Sequence, residues 1–420
     1  MNPRSRFDDD SMPDDWKEKL DSVVADGVTK VVTLRRHLHA HPEISGAELQ
    51  TSMHLYQLLG KLDLSVRMGP EGCGVVAENH STVEPATAGG DSTQRIAFRG
   101  DIDALSIQDE KKVPYRSSNE GVMHACGHDA HAAVVYGTIL ALTTLAEQDA
   151  LPWPVAWRAI FQPSEETASG AAQMIDTGVL DGVEKIFALH VDPARRTGEV
   201  GVRAGAMTAH CDLLKLTVRG QGGHAARPHE SKDPIAAAAQ LISTLYQFVS
   251  RATDSHDAVV LTIGHVLGGN NPNVIPDTVK LSGTMRTLDA DVRSRTVEKI
   301  GQVARGVGEI TDTTVEVEFH SSIPSVQNDA ELTRLVWQEA EEVLGVDNVI
   351  LIARPSMGSE DFACYLQRVP GVMFRLGSAT DLATTTPLHT PTFDIDESAL
   401  EIGVRVMARA VIMACQPGDD

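Results

Sequence analysis

Basic residues are scarce in this sequence, and no segment concentrates them. The 420 residues contain 36 Lys and Arg against 58 Asp and Glu, so the formal net charge is −22 at pH 7. Binding to a phosphate backbone depends on clustered positive charge, which this chain does not have. We therefore expect no nucleic acid among its partners.

Cysteine is equally sparse, and its distribution argues against a disulfide framework. An odd number of cysteines lies at wide spacing, at Cys73, Cys126, Cys211, Cys364 and Cys415. Small extracellular folds that depend on disulfides carry an even number at close spacing. The pattern favours a reducing compartment, and we expect a cytoplasmic protein.

The sequence also lacks an export signal and a membrane-spanning run. Residues 1–15 carry five aspartates where a secretory signal needs a basic start and an apolar stretch. The most apolar long segment, residues 132–146, is too short for a bilayer and is interrupted by Tyr136, Gly137 and three threonines. We interpret it as a buried helix and expect no membrane association.

The apolar sequence that is present suffices for a large core. Hydrophobic residues make up 42% of the chain and charged residues 22%, a balance that argues against disorder. At about 150 residues per domain, the length predicts two or three compact units.

The N-terminal region predicts two helices. Apolar residues recur at helical spacing over residues 11–38. Ser45 and Glu48 have the spacing of a capping box for a second helix, which ends near Gly60. The Ser, Thr, Pro and Gly content of residues 78–94 predicts an exposed insertion between two strands.

Strands and helices then alternate along the chain. The pattern predicts them in turn over residues 95–99, 130–145, 155–161, 168–177 and 185–189. Such alternation is typical of an α/β fold with a mostly parallel sheet covered by helices. Ligands collect at the carboxyl ends of parallel strands, where side chains leave the packed core. Three of these ends carry metal-type ligands: Asp101 and Asp103, Glu165 and Glu166, and His190.

A different pattern occupies residues 206–322. Its predicted elements follow the order βαββαβ, which is that of a split, ferredoxin-like unit. Alternation of helix and strand resumes at about residue 330. We therefore predict a catalytic domain formed by residues 1–205 and 323–420, with an inserted domain at residues 206–322.

The segment from Met123 to His131 holds a thiol and several imidazoles within nine residues. Cys126 and His128 are two positions apart, so in an extended loop both can face one metal ion, and Asp129 can orient an imidazole. The alternative is a helix N-terminus capped by Asp129, with incidental histidines. The strand-end residues named above favour the metal-site interpretation.

Glu165 and Glu166 form an adjacent pair after an apolar strand. Neighbouring residues in extended chain point to opposite sides, so one carboxylate can bind a metal while the other takes a proton from water. The alternative is a solvated pair of surface acids. His190 and His389 are lone histidines, and each by itself is more often structural than a ligand.

Three residues of the inserted segment are candidates for substrate binding. His224 lies in a turn of small residues, where backbone can approach a ligand closely. Asn273 and Arg286 combine an amide with a guanidinium fork, which suits a carboxylate. The alternative is that Arg286 pairs with a surface acid and Asn273 only makes a turn.

Taken in order, these motifs resemble the M20 metallopeptidase family, in particular its amidohydrolase branch of hippurate, N-acyl-amino-acid and plant auxin-conjugate hydrolases. The resemblance extends from residues 35–43 to the His389 motif. It implies a metal-dependent amidohydrolase that cleaves the amide bond of N-acyl amino acids with two divalent ions per subunit. A mixed thiolate, imidazole and carboxylate set suits manganese, zinc, cobalt or nickel. The resemblance also implies a homodimer formed through the inserted domain, which acts as a lid.

The same resemblance assigns roles residue by residue. The implied metal ligands are Cys126, His128, Glu166, His190 and His389. The implied general base is Glu165. The inserted domain is implied to contribute three residues to the substrate site: His224, Asn273 and Arg286. Of these, His224 is implied to hold the oxyanion in the active site of a dimer partner. The residues assigned to the support of the ligands are Asp101, Asp103 and Asp129.

The sequence departs from the family pattern at two positions. Ser164 stands where an alanine commonly precedes the glutamate pair, and Gly100 stands where an alanine commonly precedes Asp101. A histidine ligand takes the place of Asp101 in the wider family, and we assign Asp101 to support of the site rather than to the metal.

Two other functions fit the same scaffold. One is a dipeptidase or carboxypeptidase, whose substrate carries a free amine. The other is a non-catalytic, metal-dependent binding protein. No expected ligand or general base is missing from the sequence, which disfavours the second.

Overall fold

The computed structural model describes residues 15–80 and 95–417. The residues before Asp15 at the start of the predicted first helix, and most of the predicted 78–94 insertion, lie outside this range. Within it the chain forms two compact units. Unit 1 comprises the described residues of Met1–Ala204, Asn328–Ile352 and Tyr365–Asp420, and unit 2 comprises Gly205–Gln327 and Ala353–Cys364.

The segment Ala353–Cys364 is the main difference from the predicted domain boundaries, which placed it with the first unit. Backbone hydrogen bonds attach it to residues of unit 2. Ser356 N donates to Met207 O at 2.9 Å, and Ala209 N donates to Gly358 O at 2.9 Å. Pairing of this kind between distant segments leaves no signal in local periodicity.

Unit 1 alternates helices and strands along most of its length. Its elements before unit 2 are α1 (Asp15–Ala40), α2 (Leu49–Leu59), β1 (Leu64–Met68), β2 (Val75–Asn79), β3 (Arg95–Asp101), α3 (His128–Glu147), β4 (Trp157–Gln162), α4 (Gly170–Asp176), β5 (Val183–Arg196) and β6 (Val200–Val202). The following elements belong to unit 2: β7 (Gly205–Ala206), β8 (His210–Arg219), β9 (Gly223–His224), α5 (Pro234–Ala252), β10 (Val259–Leu267), β11 (Val274–Ile275), β12 (Thr278–Thr287), α6 (Ala290–Thr311) and β13 (Thr314–Ile323). The chain ends with β14 (Gln327–Asn328), α7 (Ala330–Leu344), β15 (Val349–Leu351), α8 (Ala363–Leu366), β16 (Gly371–Ala379) and α9 (Ser398–Ala414).

An eight-stranded mixed sheet forms the centre of unit 1, in the order β1-β2-β4-β3-β5-β16-β6-β15. The central strands β4, β3, β5 and β16 are parallel, whereas β1, β2 and the β16–β6 pair are antiparallel. The α/β class is therefore as expected from the sequence. Because β3 and β4 run in the same direction, Asp101 and Gln162 end side by side, and the chains that follow both strands begin at one edge of the sheet.

Strand β5 is longer than its sequence pattern predicts. The prediction ended it at Leu189 and placed His190 just beyond, but the strand continues to Arg196. His190 therefore lies inside β5, paired with Arg375 of β16. Its neighbour β3 is shorter and pairs with β5 only as far as Arg99 and Ala188. Strand β3 itself ends two residues later, at Asp101, so His190 still lies near the carboxyl edge of β3.

Helix α3 is the core helix of unit 1, and nearly all of its residues are buried. Within the described residues it is the one helix long and apolar enough to cross a membrane on length and composition alone. Of its most apolar window, 78% is buried inside the protein, which is the behaviour of a core helix. It packs against α1, α9 and the sheet.

Unit 2 has its own core and a four-stranded sheet in the order β10-β12-β8-β13. All neighbouring strands in it are antiparallel. Helices α5 and α6 follow β8 and β12, and each begins with an aspartate that accepts hydrogen bonds from two backbone N–H groups. Such caps satisfy amides that would otherwise have no partner in the first helical turn.

The predicted capping box at Ser45 and Glu48 is wrong. The carboxylate of Glu43 accepts from Gln50 N and Thr51 N instead. Ser45 Oγ donates to Asp103 Oδ2 at 2.7 Å, and the Glu48 carboxylate accepts from Ser164 N at 2.8 Å. The segment before α2 therefore forms hydrogen bonds with Asp103 and Ser164, which follow β3 and β4. The spacing of residues along the sequence cannot reveal these contacts.

Three histidines gather where α1 ends beside α2. The rings of His37 and His54 are stacked with centroids 3.9 Å apart, and those of His37 and His41 are 4.6 Å apart. Burial, and then the neighbouring His54 and His41, lower the pKa of His37 to about 4. The ring is therefore neutral at pH 7.

This neutral ring predicts a specific loss of stability in acid. Between pH 6.5 and about 4 the unfolded chain binds a proton at His37 that the folded chain does not, so stability decreases as the pH falls through this window. We expect a contribution of about 1 kcal/mol, reduced from the full shift because solvent screens the half-buried ring. It is measured as the difference in free energy of unfolding between the wild type and His37→Gln at pH 7 and pH 4. His256→Gln, which removes a 93% exposed imidazole, is the control. An equal response in the wild type and His37→Gln would contradict the prediction.

Candidate metal-binding site

The loop between Cys126 and His128 turns sharply before α3 because Gly127 adopts a left-handed conformation, with φ of 91°. A Cβ atom at this position would lie 2.3 Å from Val191 Cγ2. Only glycine therefore allows the loop to approach β5 this closely. The consequence is that the thiol and the imidazole on either side of Gly127 reach the same buried space.

Five side chains that were predicted to bind metal meet in this space. Cys126 Sγ lies 3.5 Å from His190 Nε2 and 3.4 Å from His389 Nε2. Glu166 Oε1 lies 3.4 Å from His389 Nε2 and 3.8 Å from His128 Nε2. The side chains come from five separate positions in the chain, and all of them belong to unit 1.

Hydrogen bonds orient the imidazoles so that one nitrogen of each faces the cluster. His128 Nδ1 donates to the backbone oxygen of Asp103 at 2.9 Å and to its Oδ1 at 3.1 Å. His190 Nδ1 donates to Val191 O at 2.7 Å. Both rings therefore turn Nε2 toward the cluster, and hydrogen bonds from the other ring nitrogen commonly fix metal-binding histidines in this way.

Two buried atoms of the cluster have no hydrogen-bond partner within the described residues: His128 Nε2 and Glu166 Oε1. A buried polar atom without a partner costs about 1–3 kcal/mol, so such atoms are rare unless an ion or water satisfies them. Ligand atoms about 2.0–2.3 Å from a tetrahedral ion are separated by about 3.3–3.8 Å. The distances in the cluster agree with this spacing, and the residues therefore fit a divalent metal ion.

The electrostatics of the site favour added positive charge. Burial, opposed by His128 and reinforced by the two glutamates, raises the pKa of the Cys126 thiol above its ordinary range. Burial disfavours a charge on His128, but Asp101, Cys126 and Asp103 raise its pKa well above the usual value. A metal ion supplies the positive charge that these carboxylates attract and allows the thiol to lose its proton.

The two glutamates leave β4 through a strained turn. Ser164 has a positive φ of 56°, which is unusual for a residue with a side chain. Asp103 Oδ2 accepts from Glu166 N at 3.0 Å and so holds the turn beside the end of β3. Glu166 contacts the cluster as described, and Glu165 Oε2 lies 3.9 Å from His128 Nε2. Both carboxylates lie beside His128 rather than on opposite sides of the chain, because the chain is turned here and not extended.

Asp101 and Asp103 lie behind the cluster. Asp103 contacts His128 directly, whereas Asp101 accepts from His131 Nδ1 at 2.6 Å and from Arg99 Nη1 at 2.8 Å. His131 cannot be a ligand, because its other nitrogen accepts from Val191 N at 2.9 Å. An alanine in place of Gly100 would have its Cβ 2.9 Å from the His131 backbone.

Asp129 does not orient a ligand of the cluster. Its carboxylate accepts from Arg35 Nε at 2.8 Å and pairs with His39 Nδ1 at 2.7 Å. Successive residues of a helix point about 100° apart, so a residue next to His128 faces a different neighbour. Asp129 instead fixes the start of α3 against α1 through a buried ion pair.

His389 reaches the cluster from the loop after β16. Its φ of 61° is another left-handed value for a residue with a side chain. The conformation is held by His389 N, which donates to Ala125 O at 2.8 Å. This bond joins the loop to the Cys126 segment and sets the position of the imidazole.

The predicted substrate-binding residues lie in unit 2, and one copy of that unit does not bring all three together. His224 and Asn273 are neighbours, since Ala225 N donates to Asn273 O at 3.1 Å, and both side chains are exposed. They lie beside the start of β12, where Gly220 N donates to Asp277 O. Arg286 lies near the other end of β12, about 26 Å along the strand at 3.3 Å per residue. Its Nη1 donates to Met357 O at 2.9 Å.

Several residues that shape the site were not predicted. They are Ser45, Glu48, Arg99 and His131, and each acts by holding a predicted residue. Arg99 was detectable, because a charged residue inside an apolar strand demands a buried partner. The others require knowledge of which distant segments meet.

The ligand assignment predicts that metal content depends on the inward-facing imidazoles. We expect His128→Ala and His190→Ala each to reduce metal affinity by at least about 100-fold, since outer partners of a ligand alone are worth 10–100-fold. The measurement is elemental analysis after dialysis against a weak chelator. His54→Ala, which removes a half-buried histidine of unit 1 outside the cluster, should keep its metal. A full metal complement in either cluster variant would show that the assignment is wrong.

Comparison with known proteins identifies a family and several relatives to which this chain is similar. The family model for peptidase family M20/M25/M40 matches residues 97–413. A probable hydrolase of Synechocystis is 40% identical over 382 residues, which cover 91% of this chain and 94% of the relative. The N-acetyl-L-cysteine deacetylase of Bacillus subtilis is 36% identical over 371 residues, which cover 88% of this chain and 85% of the enzyme.

A solved structure extends the comparison to three dimensions. A dinuclear metal-binding peptidase of the M20 family from Bacillus subtilis superposes with a TM-score of 0.77 at 32% identity, over 93% of this chain and 99% of that one. The family match covers most of the chain and includes all five clustered side chains. The protein therefore belongs to peptidase family M20/M25/M40 and is a metal-binding hydrolase of amide bonds.

Proposed function

We propose that the protein hydrolyses the amide bond of N-acyl amino acids and uses two divalent metal ions per subunit. The observation that carries the proposal is the way in which the clustered ligands divide. Cys126 belongs to one close set with His128 and His190, and to another with Glu166 and His389. A single thiolate shared between two sets of three is the donor arrangement expected for a pair of ions. The deacetylase relative from Bacillus subtilis supports an acyl amino acid as substrate.

The chemistry divides between the bound ions and the protein. Divalent ions, when bound, act as Lewis acids toward the scissile carbonyl and toward water. Glu165 takes the proton from the attacking water as the C–O bond forms and the carbonyl oxygen becomes an oxyanion, and it then passes that proton to the nitrogen of the amine, so that the C–N bond breaks and the carbonyl reforms. His224 donates a hydrogen bond to the oxyanion that develops on the carbonyl oxygen.

The glutamate pair provides the test of this mechanism. We expect Glu165→Gln to lose about 10²–10⁴ in turnover while retaining metal, because an amide cannot accept the proton. Glu166→Gln should lose metal first, because it removes a charged ligand. Turnover and metal content are measured on the same samples. Equal metal loss in the two variants would contradict a separate general base.

The lid, dimer and carboxylate-binding roles form the second part of the proposal. We propose that unit 2 is a ferredoxin-like lid and dimerisation domain, and that Arg286 binds the substrate carboxylate. The distance between Arg286 and the His224–Asn273 pair supports a site shared between copies, with His224 and Asn273 supplied by a partner subunit. Sedimentation of the holoenzyme as a monomer at assay concentration would contradict the shared site.

A matched substrate series tests the choice of N-acyl amino acids. We expect N-acetyl amino acids to be hydrolysed faster than the corresponding amides, which lack the carboxylate, and faster than dipeptides. Each is assayed with manganese, zinc, cobalt or nickel added back to the metal-free protein. Faster turnover of dipeptides would favour the peptidase alternative.

Arg286 variants identify the group that recognises the carboxylate. Arg286→Ala should raise the KM for N-acetyl amino acids by about 10–100-fold, the value of a hydrogen bond to a charged group, and leave the KM for the amides nearly unchanged. Arg286→Lys keeps the charge without the planar fork, and its KM for N-acetyl amino acids should lie between those of the wild type and Arg286→Ala. An equal increase for acids and amides would show that Arg286 acts on the structure of unit 2 and not on the carboxylate.

A further inference from the structure

Unit 1 contains a second concave site that the metal cluster does not use. A cavity of about 470 Å³ opens between α1, α2 and α3, within the size range of sites for small molecules. We call it the α1–α3 pocket. Its lining consists of Thr29, Lys30, Thr33, Leu34, His37, His54, Leu58, Lys61, Leu62, Tyr136 and Leu140. None of these residues belongs to the metal cluster or to the proposed substrate site.

The floor of the α1–α3 pocket is apolar. Leu34 and Tyr136 are buried members of the main core, and Leu58, Leu62 and Leu140 are partly buried and pack against it. The leucine side chains that remain accessible expose hydrocarbon in a recess rather than on a convex surface. Such a recess binds the apolar body of a ligand because that removes hydrocarbon from water on both sides.

The rim of the pocket has the opposite charge from the rest of the protein. The chain has a net charge of −22, yet the lining holds two lysines and no aspartate or glutamate. Neither Lys30 nor Lys61 forms an ion pair among residues 15–80 and 95–417. In a strongly acidic protein, a recess with two unneutralised ammonium groups attracts an anion.

The histidine stack completes the rim. The rings of His37 and His54 lie against each other at 3.9 Å, and within the described residues no hydrogen bond to the ring nitrogens of either is found. Burial, and then the charge on Lys61, lower the pKa of His54, and the pKa of His37 is also low. Neutral imidazoles can donate N–H groups to an anion without adding positive charge to a partly buried site.

From this combination we infer that the α1–α3 pocket binds a small carboxylate with an apolar body, such as a medium-chain or aromatic carboxylic acid. The carboxylate lies at Lys30, Lys61 and the histidine stack, and the hydrocarbon lies on the leucine floor. Tyr136 is eight residues from His128 along α3, about 12 Å at 1.5 Å per residue. The pocket is therefore separate from the metal cluster, and the inference does not depend on the proposed reaction.

Octanoate is the probe for this site, with two ligand controls. Acetate has the charge without the hydrocarbon, and 1-octanol has the hydrocarbon without the charge. Binding to the holoenzyme is followed by NMR of ¹³C-labelled histidine, because the ring signals of His37 and His54 report on the pocket itself. We expect saturable shifts of these two signals with octanoate, none with acetate, and at least about tenfold weaker binding of 1-octanol.

A charge-reversed variant tests the rim. Lys30→Glu combined with Lys61→Glu should weaken octanoate binding by about tenfold or more. Lys112→Glu combined with Lys280→Glu makes the same change in net charge at two exposed lysines elsewhere and should leave binding unchanged. Both double variants should keep the metal content and the circular dichroism spectrum of the wild type.

Three results would overturn the inference. The first is an octanoate titration that leaves the His37 and His54 signals unmoved while it shifts those of His190 or His389, because the acid then binds only at the metal cluster. The second is equal binding by the pocket and control variants, because the lysines then do not recognise the carboxylate. The third is equal binding of octanoate and 1-octanol.

Discussion

The contact between Asp103 and His128 is the constraint on which the candidate site depends. Asp103 fixes the ring through its backbone and side-chain oxygens, and through Oδ2 it also holds Glu166 N and Ser45 Oγ. One carboxylate therefore sets the direction of a lone pair, the exit of the glutamate pair and the position of the segment before α2. The carboxylate can do so because it is almost fully buried, where hydrogen bonds to a charged group are strong. The unpartnered Nε2 of His128 is the result of this orientation.

Local patterns in the sequence predicted the elements and the ligand-bearing loops well. Apolar periodicity placed most helices and strands of both units, and the spacing of Cys126 and His128 indicated that both side chains can face one metal ion. Each of these signals involves residues within a few positions of one another. Because parallel strands end at one edge of a sheet, the sequence also indicated that Glu166 and His190 lie close together, whereas the grouping of all five side chains came from the resemblance to the family.

The sequence failed where the deciding contact joins distant segments. Ser45 and Glu48 have the spacing of a capping box, but their side chains bond elsewhere. Ser45 donates to the Asp103 carboxylate, and Glu48 accepts from Ser164 N. His190 was expected at the end of a strand, and β16 extends that strand by pairing with it. Asp129 turned toward Arg35, which lies 94 residues away. In each case local propensity was overridden by a long-range partner that no periodicity encodes.

The segment from Glu43 to Glu48 connects the start of α2 to the turn that precedes Glu165 and Glu166. Glu43 holds the first turn of α2, while Glu48, immediately before that helix, holds Ser164 just ahead of the glutamate pair. Further along the same helix, His54 and Leu58 lie in the wall of the α1–α3 pocket. The packing of α2 therefore bears on two places in unit 1 at once, since its start is bonded through Glu48 to the turn before the glutamate pair and its later residues form a wall of the pocket.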